Sequence, residues 1–146
     1  MADRIEVLPL EAFPTQVTEN IRYGDTDRQG HVNNAVYATY FESGRVDLLH
    51  DSLPLLEASG CQFVIARLIV DYVREMHWPG TPVIGTGVLA LGRSSATLRQ
   101  AVFQDGICTA IAENVIVLMD MKTRRARELP EMIRSDFERL KLVAAS

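Results

Sequence analysis

The stretch from Tyr23 to Arg45, YGDTDRQGHVNNAVYATYFESGR, gathers the residues best suited to chemistry. Asp25 and Asp27 flank a single threonine. Gly30, His31 and the pair Asn33–Asn34 follow, and an apolar pattern begins directly after them. A carboxylate such as Asp27 can attack a carbonyl carbon or draw a proton from water. The residue types leave both roles open, although a carboxyl near its reference pKa of about 3.9 is a weak base at neutral pH and needs burial to raise it. A helix starting just downstream supplies what the carboxylate lacks: unpaired N–H groups and the positive end of a dipole, aimed at an oxygen that gains charge. Gly30, between the two, lets the chain turn tightly and a substrate come close. Aspartates are also common turn residues, and Asp25 reads as structural, binding amides within the turn. His31 can act as a base, or pack as a hydrogen-bonded part of a pocket lip. Asn33 and Asn34 can cap the helix or contact a substrate; capping accounts for one of them.

These roles depend on the elements that position the residues. Val17, Glu19, Ile21 and Tyr23 share one face of a strand predicted from Thr15 to Tyr23, and a polar turn from Gly24 to Gly30 breaks it. From Asn33 the period changes. Val36, Tyr37, Tyr40, Phe41, Gly44, Leu48 and Leu49 recur at three and four, which predicts a helix with a broad apolar stripe. The sequence DSLP should end it, since Pro54 extends a helix poorly. Phe63–Met76 reads as a strand and HWPGT as a turn. Pro82–Ser95 is a second strand softened by Gly85 and Gly87, Ala96–Gln104 a third, and Ile107–Lys122 a fourth. Asp105–Gly106 is a strong hairpin signal. A short amphipathic helix from Pro130 to Leu140 closes the pattern. Consecutive strands joined by tight turns imply a largely antiparallel sheet and an α+β class. One helix covers only part of one sheet face, so the remaining apolar strand surface points to a partner chain.

Composition sets outer limits. A chain of 146 residues fits one domain, and 47% hydrophobic residues argue for a packed core. A net charge of −4 argues against a general nucleic-acid binder, despite the local run Lys122, Arg124, Arg125 and Arg127. Those arginines read as a solvated charge run, with phosphate binding the lesser option. Cys61 and Cys108 show no metal spacing and no disulfide framework, so they read as reduced, buried thiols of a cytoplasmic protein. The N-terminus lacks the features of a signal peptide, and no apolar run is long enough to span a bilayer.

The combination resembles the 4-hydroxybenzoyl-CoA thioesterase branch of the hotdog-fold superfamily. The shared signature is Asp-x-Asp-x-x-Gly, then His-Val-Asn-Asn, then Tyr-x-x-Tyr-Phe-Glu. Here it stands as Asp25 through Gly30, His31 through Asn34, and Tyr37 through Glu42. The order of elements fits as well, so the resemblance covers most of the chain, with its specificity concentrated in this stretch. It implies one hotdog thioesterase domain over residues 1–146, a long central helix wrapped by a curved antiparallel sheet of about five strands. It also implies hydrolysis of an acyl-CoA thioester to free acid and CoA, in a homodimer or homotetramer with sites at the subunit interface. The catalytic carboxylate of relatives maps to Asp27, and the N–H that holds the thioester oxygen maps to Asn34 or a neighbour. Gly30 and His31 complete that catalytic group; Asn33 and Tyr37 fall beside the substrate. In another branch the carboxylate comes from the helix, where Glu42 stands here.

Arg93, Ser94 and Ser95 lie where two strands meet. An arginine with hydroxyls suits the phosphates of coenzyme A, and suits an ordinary solvated turn equally. No cofactor or membrane partner is expected. No metal is expected either, since His31, His50 and His77 show no ligand spacing with cysteines or carboxylates. Two rival readings share the fold. In an enoyl-CoA hydratase or dehydratase, Asp27 and His31 would handle a proton and water together, but the proline and leucine that usually precede that histidine are missing. A non-catalytic domain would bind acyl-CoA as a sensor or serve as a scaffold. The acyl group itself is not readable from the sequence.

Overall fold

A computed structural model describes residues 4–143. The apolar stripe forms α1, Val36–Leu49, which buries Tyr37, Tyr40, Phe41, Gly44, Leu48 and Leu49. The strands are β1 (Thr15–Thr18), β2 (Cys61–Tyr72), β3 (Val83–Leu91), β4 (Ser95–Gln104) and β5 (Ile107–Asp120). Helix α2 (Leu53–Ser59) precedes β2, and α3 (Glu131–Arg139) follows β5. The strands form one five-stranded sheet in the order β1-β3-β4-β5-β2, antiparallel throughout. This is the expected α+β arrangement. Register shifts at Ile65/Arg67, Val88/Ala90 and Val102/Phe103 help the sheet curve, and α1 lies against β1, β3 and β4.

The helix fits the sheet because Gly44 lets it approach. A Cβ there would stand 2.6 Å from both Gln100 Nε2 and Thr86 Oγ1. The Gln100 amide donates to the Phe41 carbonyl and to Thr86 Oγ1, both at 2.9 Å, and its oxygen accepts from Asn114 at 2.7 Å. The Gln100 amide thus ties the helix backbone to Thr86 and Asn114, while Asn114 Oδ1 stays buried without a partner among the described residues. Gly85 and Gly87 likewise serve clearance. A Cβ on Gly85 would meet the Phe13 ring at 2.7 Å, and one on Gly87 would meet Leu142 at 2.6 Å. They admit chain segments onto the outer sheet face and do not simply soften β3.

Several boundaries differ from the sequence reading; the strand read as Pro82–Ser95 ends at Leu91, where the Gly92 amide donates to the Ser95 carbonyl. Helix α1 ends at Leu49, just before DSLP as expected, but the chain stays helical. A 3₁₀ turn, His50–Ser52, leads straight into α2, whose first turn holds Pro54. A proline is tolerated there because that N–H has no intrahelical partner anyway. Gly60, at φ 70°, ends the run instead. Strand β1 stops at Thr18; the chain runs on beside Pro82 and Gly80, whose carbonyls accept the Glu19 and Ile21 amides, and Tyr23 leaves the strand face to stand exposed. Strand β2 ends at Tyr72, four residues early, because Val73 and Arg74 both donate to the Thr109 carbonyl and regular pairing stops. The next residues turn toward the polar segment: Met76 accepts the Val32 amide at 2.7 Å, and His77 bridges to His31. The Asp105–Gly106 hairpin forms as expected, with both residues at positive φ.

The sheet edge at β2 carries exposed Ile65, Ile69 and Tyr72. Cys61 and Cys108 are buried and unpaired. Among the described residues, no helix is long and apolar enough to cross a membrane.

Candidate active site

The polar segment is built by three nested turns. The first is a 3₁₀ turn, Tyr23–Asp25, closed by the carboxylate of Asp25. One oxygen of that carboxylate accepts the Arg22 amide and the Tyr40 hydroxyl, each at 2.9 Å; the other accepts the Arg22 guanidinium at 3.1–3.2 Å. Asp25 is buried, so the structural role read from the sequence holds. Burial pushes its carboxyl up. The Arg22 amide, the Tyr40 hydroxyl and the Arg22 guanidinium together outweigh burial and hold it below the usual carboxylate value. The same contact, added to burial, drives the Tyr40 hydroxyl well above its ordinary range.

The second turn spans Asp27 to Gly30. The Gly30 amide donates to the Asp27 carbonyl at 3.0 Å, and the Asp27 amide donates to the His31 carbonyl at 2.8 Å. Gly30 sits at φ 82° with nothing within 4 Å of a notional Cβ, so the constraint is the left-handed backbone and not space. Asp27 Oδ1 accepts the amides of Gln29 (2.8 Å) and His31 (3.2 Å). This fixes the carboxyl and leaves Oδ2 without a hydrogen bond among the described residues.

The third turn leads into α1. The Asn33 amide donates to the Asp25 carbonyl, its own carbonyl accepts the Val36 amide, and its side-chain oxygen accepts the Ala35 amide at 3.0 Å. Asn33 therefore closes a local turn ahead of α1 and does not cap it as expected: the N-cap is Ala35, with no side-chain cap bond. Asn34 differs. Its carbonyl accepts the Tyr72 hydroxyl at 2.9 Å, while its N–H has no acceptor among the described residues.

Asp27, His31, Asn34 and Tyr37 line one cavity of about 350 Å³, whose far wall is Tyr72 to Glu75. Tyr37 is buried, with its ring edge-on to Tyr72 at 5.3 Å, and burial raises its hydroxyl despite an opposing bond from Thr109. Asp27 itself is exposed in the single chain. Glu42 faces a separate groove with Glu19, Asp47 and His50, away from Asp27. Arg93, Ser94 and Ser95 are not brought into this cavity. Ser95 pairs with Val117 on β5, whereas Tyr72 pairs with Ala110, so the two places lie roughly 23 Å apart along the strand at about 3.3 Å per residue. Arg93 instead faces Glu128 at 3.9 Å. The basic run after β5 folds into a turn held by Asp120, which accepts the amides of Lys122 and Thr123 and pairs with Arg127 at 3.1 Å.

The sequence reading missed the far wall. Tyr72, Glu75 and His77 fall in or just past the stretch read as continuous strand, and only the early end of β2 turns them toward His31. The alternation of exposed Glu75, buried Met76 and exposed His77 marks a shared face; that this face meets His31 is a tertiary fact.

One long helix against a curved, five-stranded antiparallel sheet is a hotdog fold, and the Asp27 cavity lies at the start of that helix. The chain belongs to the thioesterase-like superfamily, which it matches over residues 21–137, and it is a thioester hydrolase. No curated protein matches it. Among solved structures, it is similar to a thioesterase from Thermus thermophilus complexed with coenzyme A and zinc, at 34% identity and TM-score 0.80 over 90% of this chain and 97% of that one. It is also similar to YbaW, a probable thioesterase of Escherichia coli, at 28% identity and TM-score 0.77 over 86% and 97% of the two chains. A DHNA-CoA thioesterase from Staphylococcus aureus, at 21% identity and TM-score 0.75 over 85% and 86%, shares the fold.

The Asp25 linkage predicts how the segment responds to acid. A carboxyl depressed in the folded state adds stability above its unfolded pKa, near 3.8, and that stability is lost as pH falls through the folded value. Tyr40→Phe removes one of the bonds that depress it. The variant should lose about 1.5–3 kcal/mol at neutral pH, as expected for a hydrogen bond to a charged group, and its acid unfolding midpoint should move to higher pH. Unfolding followed by circular dichroism against pH reads both; a midpoint unmoved or lowered contradicts the assignment.

Proposed function

We propose that this hydrolase cleaves the thioester of an acyl-CoA to free acid and CoA, using Asp27 as the reacting carboxylate and the Asn34 N–H as the donor to the thioester oxygen. One observation carries the reading: a single cavity is lined by a carboxyl held through one oxygen, with the other free, and by the residue whose amide is unpaired. The unbonded Oδ2 of Asp27 is free to attack carbon. In that route Asp27 Oδ2 adds to the thioester carbon. The C–S bond then breaks, CoA leaves as thiolate and takes a proton from solvent, and water cleaves the mixed anhydride to restore the carboxylate. An oxyanion donor of this kind is typically worth about 2.7–4 kcal/mol. Gly30 permits the turn, His31 forms the lip, Asn33 sets the helix start, and buried Tyr37 closes the inner wall toward the acyl group. The coenzyme A complex of the Thermus thermophilus relative supports the substrate class.

The reading takes residues 1–146 as one domain acting in a homodimer or homotetramer. The β2 edge supports this, since among the described residues it pairs with a strand on one side only and it displays Ile65, Ile69 and Tyr72. A neighbouring chain is also the one source of an Arg93–Ser95 segment near the cavity. Two buried, unpaired cysteines support a reducing compartment such as the cytoplasm. Sedimentation at micromolar concentration should read a dimer or tetramer; a monomer overturns the assembly.

The catalytic assignment is tested by thiol release from a panel of acyl-CoA esters. Asp27→Asn keeps an acceptor for the Gln29 and His31 amides, so the fold should persist. Its kcat should fall by about 10²-fold or more, the scale for positioned acid–base or nucleophilic groups. A folded variant with parental kcat rejects Asp27.

A further inference from the structure

His31, Glu75 and His77 form a group that the thioester chemistry above does not use. Each offers one ligand atom, and the three atoms lie within 4.8 Å of one another. His31 Nε2 stands 3.2 Å from Glu75 Oε2, and His77 Nε2 stands 3.8 Å from the same oxygen. The two imidazole rings meet edge to face, with centroids 4.8 Å apart.

We infer that these three side chains bind a divalent transition cation of intermediate softness, such as Zn²⁺, at the mouth of the Asp27 cavity. Ligands at about 2.0–2.1 Å from a tetrahedral zinc stand roughly 3.3 Å from one another. The two separations to Glu75 bracket that value, so small rotations of the exposed Glu75 and His77 side chains complete the set around half-buried His31. Two imidazoles and one carboxylate suit zinc, nickel, cobalt or iron; magnesium and calcium prefer oxygen ligands.

The backbone supports the cluster from two sides. Glu75 and His77 share the outward face of their segment because Met76 between them is buried. His31 is held opposite by its bridge to His77, by the hydrogen bond its N–H donates to Asp27 Oδ1 and by the one the Val32 N–H donates to the Met76 carbonyl beside it. The Cα positions are therefore fixed by hydrogen bonds made with or without a cation. His31 and Glu75 also line the cavity. A three-ligand set leaves at least one coordination position open, and here it opens beside that cavity. The inference concerns binding and stands whether or not the cavity accepts acyl-CoA.

The test uses the full chain, free of any polyhistidine tag and stripped with a chelator. Titration with Co²⁺ should give visible absorption bands that saturate at one equivalent, that Zn²⁺ removes, and that excess Mg²⁺ or Ca²⁺ leaves intact. Changes even to outer-shell partners typically cost about 10–100-fold in metal affinity, so His77→Ala and Glu75→Gln should each weaken Co²⁺ binding by about 10-fold or more. Nitrogen-15 NMR of the imidazoles supplies a readout that needs no variant. One equivalent of Zn²⁺ should shift His31 and His77 and leave His50, at the far end of α1, in place. No saturable Co²⁺ signal, variants that bind like the parent, or a His50 response equal to that of the other two would each overturn the site.

Discussion

One contact holds the polar segment to the fold: the Tyr40 hydroxyl, from the first half of α1, donates to the buried carboxylate of Asp25. Asp25 in turn organises the 3₁₀ turn through Arg22 and accepts the Asn33 amide on its carbonyl. A single residue thereby ties the polar segment to the helix it precedes. The cost of burying that carboxylate is offset by a full set of donors, which is the condition under which a buried charge is tolerated. Because the turn is anchored to the helix and the helix is seated on the sheet through Gly44, Asp27 and Asn34 have little freedom to move relative to each other.

That anchoring matters for the proposed reaction, in which the two groups act on one carbonyl. An oxyanion donor is effective only when it is aligned before charge develops. The turn divides the labour between adjacent asparagines. Asn33 uses its side chain and backbone to close the turn into the helix, and Asn34 gives its carbonyl to Tyr72 and keeps its N–H free. The Asp27 carboxyl is divided in the same way, one oxygen tethered by amides and one left open. The early end of β2 completes the enclosure by sending Tyr72 to Glu75 across the opening.

Much of this was legible in the sequence. The α1 stripe, the antiparallel strands and the Asp105–Gly106 hairpin follow from local periodicity and turn chemistry, and each formed. The Asp27–Asn34 segment was legible because a motif with unusual spacing concentrates polar residues before an apolar helix. What could not be read depends on partners distant in sequence. Pro54 reads as a helix stop locally, yet a proline in a first turn permits a helix that begins anew. The end of β2 is set by both Val73 and Arg74 sharing the Thr109 carbonyl, which no local pattern in Phe63–Met76 announces. Arg93, Ser94 and Ser95 have the chemistry for phosphates, but β5 separates them from the cavity within one chain. Pairing of His31 with Glu75 and His77 depends on the same strand end.

The most direct measurement is a crystal structure with a non-hydrolysable acyl-CoA analogue in which a methylene replaces the thioester sulfur. The account predicts the analogue's carbonyl oxygen within about 3.1 Å of the Asn34 nitrogen, with Asp27 Oδ2 facing the carbonyl carbon. A carbonyl seated elsewhere, with Asp27 directed into solvent, would contradict it.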